Sequence, residues 1–277
     1  MPLRSYRVAT LVRWSGNRGS GEMNGADAIT IEFKNVQFCV AGGKVLLSGV
    51  SLSVRRGETL TLLGRSGSGK TTCLKMINRL LAPTQGEVRV DGTPVEQWDA
   101  IKLRRRIGYA IQDVGLFPHY TVRQNVALVP KLERWDCQKI ETRVKEVLDL
   151  VGLPSPEFAD RYPHQLSGGQ RQRVGLARSL AADPPILLMD EPFGALDPIT
   201  RAELQMEFKK LQQKLGKTVV FVTHDVGEAL LLGSRIGLME SGSLRGIYTP
   251  DEFLRATDAA VKAYVDVFRA GQQMFRN

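Results

Sequence analysis

The chain has 277 residues, 43% of them hydrophobic and 24% charged, the make-up of an ordinary globular protein with one large α/β domain or two small ones. No apolar run approaches the roughly 20 residues that span a bilayer, and the longest, Ile186–Met189 and Thr218–Val222, are of strand length, so a role at a membrane must go through a partner. The net charge of +9 is spread along the chain, with one dense cluster at Arg104–Arg106, and reads as a solvated surface suited in part to anionic phospholipid.

Residues 1–28 carry four arginines and a Gly/Ser/Asn-rich stretch but no apolar segment, so they are not a secretory leader. They read as a disordered N-terminal extension, or as a segment ahead of a true start at Met23. Cys39, Cys73 and Cys137 are far apart and lack CxxC pairing, which fits a reducing compartment without a disulfide framework or a zinc site.

Order is expected from Ile29. Ile29–Val36 and Ser51–Val54 alternate apolar and polar residues, as half-buried antiparallel strands do. Glu58–Leu63 is a short apolar strand, Gly64–Gly69 breaks it, and Lys70–Leu81 reads as a helix stopped near Pro83. Glu87–Val90 is a strand ending in the Asp91-Gly92 turn. Between about Leu116 and Pro163 the patterns become helical: Val122–Val129, then Lys139–Val151 with Ile140, Val144, Val147 and Leu148 on one face. From Gly169 a helix through Ala182 precedes the strand Ile186–Asp190, and the helix Ile199–Leu215 precedes the strands Thr218–Thr223 and Ile236–Met239. This alternation predicts an α/β fold with a mostly parallel, covered sheet. An antiparallel β subdomain lies at its N-terminal side, and a helical subdomain is inserted at about 116–168.

Gly64-Arg65-Ser66-Gly67-Ser68-Gly69-Lys70-Thr71, with Thr72 after it, follows an apolar strand and opens a helix, the context that a G-x-x-x-x-G-K-[ST] phosphate loop requires. The glycines let backbone N–H groups turn inward around phosphate oxygens, and the helix behind presents its positive dipole end. Lys70 would supply a point charge to the β- and γ-phosphates, and the Thr71 hydroxyl a ligand for Mg²⁺. The motif alone leaves GTPases, kinases and many ATPases open.

Ile186–Met189 runs into Asp190 and Glu191. Beside a phosphate loop, Asp190 has the task of holding Mg²⁺, directly or through water. Glu191 points differently and is free to accept a proton from an attacking water. Two adjacent carboxylates with separate tasks suit hydrolysis.

Leu166-Ser167-Gly168-Gly169-Gln170 is either an ordinary helix cap on Ser167 or a second anion cradle. One phosphate loop has no use for a second cradle in its own site, which directs this one to another chain's nucleotide. LSGGQ between a phosphate loop and a strand ending in Asp-Glu resembles the ABC ATPases, and the resemblance runs from Ile29 to about Phe268, with residues 269–277 left as a C-terminal tail. It implies a P-loop NTPase (ABC ATPase) core over 29–268 that binds ATP and Mg²⁺ and works as a homodimer or paired subunits. Each nucleotide would lie between Gly64–Thr72 of one copy and Ser167–Gln170 of the other. The resemblance further implies that Gln112 reaches Mg²⁺ and the attacking water, that Ala195-Leu196-Asp197 crosses the dimer, and that His224 contacts the γ-phosphate. His119 and His164 are left as surface residues. One departure concerns the base: Val40 stands where the family usually stacks adenine on an aromatic ring.

Ile107–Gln112, Gly115–His119, Leu128–Leu132, Ala182–Ile186 and Asp197–Arg201 look like the ATPases of osmoprotectant importers for glycine betaine, carnitine, choline or related quaternary amines. That implies transmembrane permease subunits, an extracytoplasmic substrate-binding protein and a peripheral place on the cytoplasmic face of the cell (inner) membrane. Import of amino acids or another small solute is the alternative. Many such ATPases add CBS domains after the core; the chain ends at Asn277, so regulation through them is not expected. A nucleic-acid role is not expected either, because the basic residues are not interleaved with aromatics.

Overall fold

The computed structural model describes residues 28–112, 114–194 and 196–274. The extension expected before Ala28, and Ala195 of the expected cross-dimer loop, lie outside them. An antiparallel sheet of β1 (Ile29–Cys39), β2 (Val45–Arg55), β4 (Gln85–Val90) and β5 (Thr93–Pro94) runs in the order β2-β1-β4-β5. The second sheet has the order β10-β9-β3-β8-β7-β6, from β3 (Thr59–Leu63), β6 (Ile107–Ala110), β7 (Ile186–Asp190), β8 (Thr218–Thr223), β9 (Arg235–Glu240) and β10 (Ser243–Tyr248). It is parallel except for the edge strand β10.

Every residue of β3, β7 and β8 is buried, as expected for central strands covered on both faces. Their two-residue period divides that burial between two cores. Leu60, Leu62, Ile186, Leu188, Val220 and Val222 face α1 (Lys70–Ile77), α2 (Ala100–Arg105) and the antiparallel sheet. Leu187, Met189, Val219 and Phe221 face the helical layer. That layer contains α3 (Val122–Val126), α4 (Leu128–Leu132), α5 (Cys137–Leu150), α6 (Ser155–Phe158), α7 (Gly168–Leu180) and α8 (Pro198–Leu215). A third core joins α9 (Val226–Leu232), α10 (Pro250–Arg255) and α11 (Ala259–Met274) to the far edge of the parallel sheet.

The element order agrees with the sequence reading, and the differences have local causes. The helix expected over Lys70–Leu81 ends at Ile77, where Arg79 adopts φ 55° and the N–H groups of Leu80 and Leu81 both turn back to the Lys75 carbonyl. The segment Val122–Val129 is broken at Ala127 into α3 and α4. Helix α11 continues past Phe268 to Met274. The basic cluster is spent on structure. Arg104 donates to the carbonyls of Asn78 and Arg79 beyond α1, Arg105 pairs with Glu133, and Arg106 pairs with Asp91.

Because β3, β8, β7 and β6 are adjacent and parallel, their carboxyl ends deliver Gly64, His224, Glu191 and Gln112 to one edge of the sheet. Open α/β sheets bind ligands at such an edge. Phe221, fully buried with its ring centroid 5.8 Å from that of Phe193, sits just beneath it. Replacing Phe221 with Ala is expected to lower unfolding free energy by about 3–5 kcal/mol, measured by denaturant titration.

Candidate functional site

The loop Gly64–Gly69 leaves β3 and enters α1 through Gly69, whose φ of 98° belongs to the left-handed region. A Cβ there would stand 2.5 Å from Leu47 Cδ2, and one at Gly64 would stand 2.3 Å from the Met239 carbonyl oxygen. Both positions therefore need glycine. Lys70 is buried and folds back over the loop, donating from Nζ to the carbonyl oxygens of Gly64 at 2.7 Å and Arg65 at 2.9 Å. Burial pulls its pKa below the usual lysine value, with Glu191 and Asp190 opposing the shift. Its direct partners are the two carbonyls and, at 3.5 Å, the Ser68 hydroxyl, all uncharged, and a phosphate anion would satisfy it better. The half-buried hydroxyl of Thr71, one residue on, donates to Asp190 Oδ1 at 2.9 Å. Arg65 and Ser66 are exposed, Ser68 is buried and Thr72 half-buried.

At the end of β7 the two carboxylates separate. Asp190 is buried beside Thr71, and burial raises its pKa while the Thr71 hydrogen bond draws it back. Glu191 adopts φ 45°, a conformation disfavoured for a residue with a side chain. Its N–H still donates to the Val222 carbonyl, so the turn begins while the chain is tied to β8. Its carboxylate leaves in another direction, with Oε2 3.2 Å from Nδ1 of the exposed His224.

Gln112 is exposed just beyond β6. The loop after it is clamped to α7 in two ways. Arg178 donates to the carbonyls of Val114 and Gly115, each at 2.7 Å. Val114 also lies so close to Gly175 that a Cβ there would be 2.6 Å from Val114 Cγ1. At the other end of α7, Ser167 and Gln170 form a reciprocal capping box, Gln170 N–H to Ser167 Oγ and Ser167 N–H to Gln170 Oε1. The cap and the cradle expected from the sequence are compatible. The box engages the two side chains, while the first N–H groups of a helix, here those of Gly168 and Gly169, have no partner within it. Gly169 lies close to Thr200 and Leu196. Asp197 caps α8 by accepting from the Thr200 N–H at 3.0 Å, which draws its carboxyl below the usual range.

The structure thus gathers Gly64–Thr72, Asp190, Glu191 and His224, with Gln112 on the adjoining strand end. It leaves Ser167–Gln170 and Asp197 as two exposed helix starts packed against each other. Sequence reasoning missed Arg178, Gly175 and the buried Glu228 on α9; no motif signal marks them. Val40 closes the turn between β1 and β2 through its N–H to Lys44 and its carbonyl to Gly43. Phe38 packs against the core below that turn.

This arrangement fits a nucleoside triphosphate with a hard divalent cation. The loop has no room for a Cβ at Gly64 or Gly69, a buried cation lies in it, and a hydroxyl is already paired with a buried carboxylate. Mg²⁺ typically takes one or two protein oxygens and fills its shell with phosphate and water.

Comparison with known proteins agrees. The family model described as ABC transporter matches residues 47–194, more than half of the chain, and the chain belongs to that family. It is 52% identical over 225 residues to the glycine betaine/carnitine/choline transport ATP-binding protein OpuCA of Bacillus subtilis (strain 168), covering 81% of this chain and 59% of that one. The choline transport ATP-binding protein OpuBA of the same organism gives the same identity and coverage. The glycine betaine uptake system ATP-binding protein YehX of Escherichia coli (strain K12) is 50% identical over 214 residues, covering 77% of this chain and 69% of that one. The alignment with the two Bacillus proteins thus spans about three fifths of their length. Among solved structures, the ATP-binding cassette MJ0796, a dimer in a post-hydrolysis state bound to ADP and Pi, superposes with a TM-score of 0.72 at 36% identity, covering 79% of this chain and 98% of that one.

Asp190 holds its charge in a place that disfavours ionisation. A carboxylate with a raised pKa costs stability once the pH climbs above its ordinary range. Asp190→Asn, which keeps the acceptor for Thr71, is therefore expected to raise the thermal midpoint of the nucleotide-free chain at pH 7. The gain should fade as the pH falls through the carboxylate range, read by calorimetry at both pH values.

Proposed function

We propose that the chain is the ATP-binding and hydrolysing subunit of an ABC importer, energising uptake of an osmoprotectant or quaternary amine such as glycine betaine, carnitine or choline. The observation that carries the hydrolytic reading is the divergence of Asp190 and Glu191 at one strand end, one toward Thr71 and the other toward His224.

On this reading Gly64, Arg65, Ser66, Gly67, Ser68 and Gly69 wrap the phosphates with main-chain N–H groups, and Lys70, Thr71 and Thr72 complete the grip. Thr71, Asp190 and Gln112 would hold Mg²⁺, which would supply positive charge to offset the negative charge of the phosphates. Glu191 accepts the proton of the attacking water at its carboxylate, and His224 bears on the γ-phosphate. Ser167, Gly168, Gly169, Gln170 and Asp197 serve the nucleotide of a second copy, a reading supported by the exposure of Ser167, Gly168 and Asp197 at two helix starts. Val40 itself offers the base no aromatic platform.

A permease would dock on the groove of about 310 Å³ lined by Tyr109, Phe117, Leu128, Val129 and Arg178. Its walls come from the parallel sheet, the loop after Gln112 and the helical layer, so a partner there would press on Gln112 and α7 together. Among the described residues no helix is long and apolar enough to cross a membrane; a peripheral place at the cytoplasmic face rests on membership of the transporter family. A substrate-binding protein outside the membrane would select the solute. The solute itself is supported by the relatives' names. A second reading, import of another small solute, is favoured by 44% identity over 224 residues to the spermidine/putrescine import ATP-binding protein PotA of Chromobacterium violaceum.

Glu191→Gln is expected to reduce ATP turnover by roughly 100-fold or more, the scale of general base catalysis. It should retain ATP binding and accumulate ATP-bound dimers on size exclusion; unchanged turnover would remove Glu191 from its role. For the solute, the extracytoplasmic binding protein that partners this chain should bind labelled glycine betaine, choline or carnitine. Binding of a polyamine or an amino acid in their place would favour the second reading.

A further inference from the structure

Behind His224 lies a carboxylate that the proposed chemistry does not use. Glu228, in the first turn of α9, is 6% exposed. Its Oε2 accepts from the Thr223 hydroxyl at 2.6 Å, and its Oε1 accepts from Gln205 Nε2 on α8 at 2.9 Å. The Thr223 hydroxyl in turn accepts from the Asp225 N–H at 2.9 Å, and Asp225 Oδ1 accepts from the Glu228 N–H at 3.0 Å. Three of these bonds tie Thr223, Asp225 and Glu228 to one another across His224, and the fourth anchors Glu228 to α8. The buried carboxylate fixes Thr223, whose hydroxyl in turn holds the Asp225 N–H, and it is also anchored to the helix that follows the Glu191 turn.

A carboxylate is a demanding choice for an interior position. Burial disfavours its charge and so does Asp225, while Thr223, Gln205 and Arg201 of α8 offset them. If the task were only to fill space between α8 and α9, an apolar side chain would do it without that penalty. His224 is exposed with its Nδ1 3.2 Å from Glu191 Oε2, and the direction of its ring depends on the main chain that carries it. That main chain is set by Thr223 and Asp225.

We propose that Glu228 is a positioning residue, which holds Thr223, Asp225 and α8 in one frame and thereby keeps the His224 imidazole against Glu191. The proposal rests on the hydrolytic reading for its kinetic consequence, while its structural core stands apart from it. Glu228 does not touch the nucleotide on this view; it acts through His224.

Three histidines in the chain, His119, His164 and His224, make the test direct, because their ring resonances can be assigned by single His→Gln substitutions. Glu228→Ala is expected to move the His224 ring signals and leave those of His119 and His164 in place. Glu228→Gln, which keeps an acceptor for Thr223, should hold the His224 signals near their original position. Thr223→Val should reproduce the shift, and the Glu228→Ala/Thr223→Val pair should add nothing to either single change. In ATP hydrolysis, Glu228→Ala should lower kcat roughly 10- to 100-fold with KM within about twofold, as loss of orientation rather than of binding does, and Glu228→Gln should restore most of it.

Unmoved His224 signals in Glu228→Ala would overturn the proposal, as would equal losses in the Ala and Gln variants. Should Glu228→Ala fail to fold, Thr223→Val and Glu228→Gln carry the comparison. An absence of ATP turnover in the unsubstituted chain would defeat the hydrolytic reading while leaving the resonance test to decide the role of Glu228.

Discussion

The site depends on one backbone angle. Asp190 and Glu191 are consecutive, and in a strand that simply continued they would point to opposite faces of the sheet. The left-handed turn at Glu191, φ 45°, changes that. Its N–H stays in the ladder with Val222 while the chain behind it swings away. Asp190 is thereby left inside beside Thr71, and Glu191 reaches across to His224. A left-handed residue with a side chain is held only when its surroundings fix it. Here those surroundings are Val222 in front, the Gly194 N–H returning to the Glu191 carbonyl, and Phe193 buried beneath.

That angle would mean little without the parallel sheet. Parallel strands carry all their carboxyl ends to one edge, and the β3-β8-β7-β6 order sets the phosphate loop, His224, the paired acids and Gln112 side by side. Those residues come from positions 64 to 224 of the chain, so no local stretch could assemble them. Hydrophobic burial on both faces of β3, β7 and β8 keeps the row straight, and the loops need only supply chemistry.

Much of this was legible in the sequence, for identifiable reasons. Ile186–Asp190 and Thr218–Thr223 hold continuous apolar runs ended by polar residues, a pattern that suits covered parallel strands. Thr59–Leu63 is a short stretch of Leu and Thr stopped by Gly64, and Gly64–Thr71 is constrained residue by residue by phosphate geometry. Less visible were elements whose stability comes from neighbours. Strand β6 is four residues and exists as the partner of β7, and β10 is half-buried along most of its length against β9. Arg178 and Glu228 were hidden for a different reason. In sequence they are one arginine among many and an acid in a helix; only the fold shows that the first grips two carbonyls beyond Gln112 and the second ties together the residues flanking His224.

These two residues make the site less a collection of side chains than a set of linked frames. Through Arg178 and the fit of Val114 over Gly175, the loop beyond Gln112 is tied to α7, whose first turn carries Ser167–Gln170. Gly169 lies against Leu196 and Thr200 at the start of α8, and Gln205 joins α8 to Glu228 and so to the His224 loop. A push at the groove beside Phe117 would therefore travel by direct contact toward both proposed halves of a shared nucleotide site. On the proposed reading, the solute would be chosen by the partner proteins, and this subunit would supply a hydrolytic cycle indifferent to the cargo.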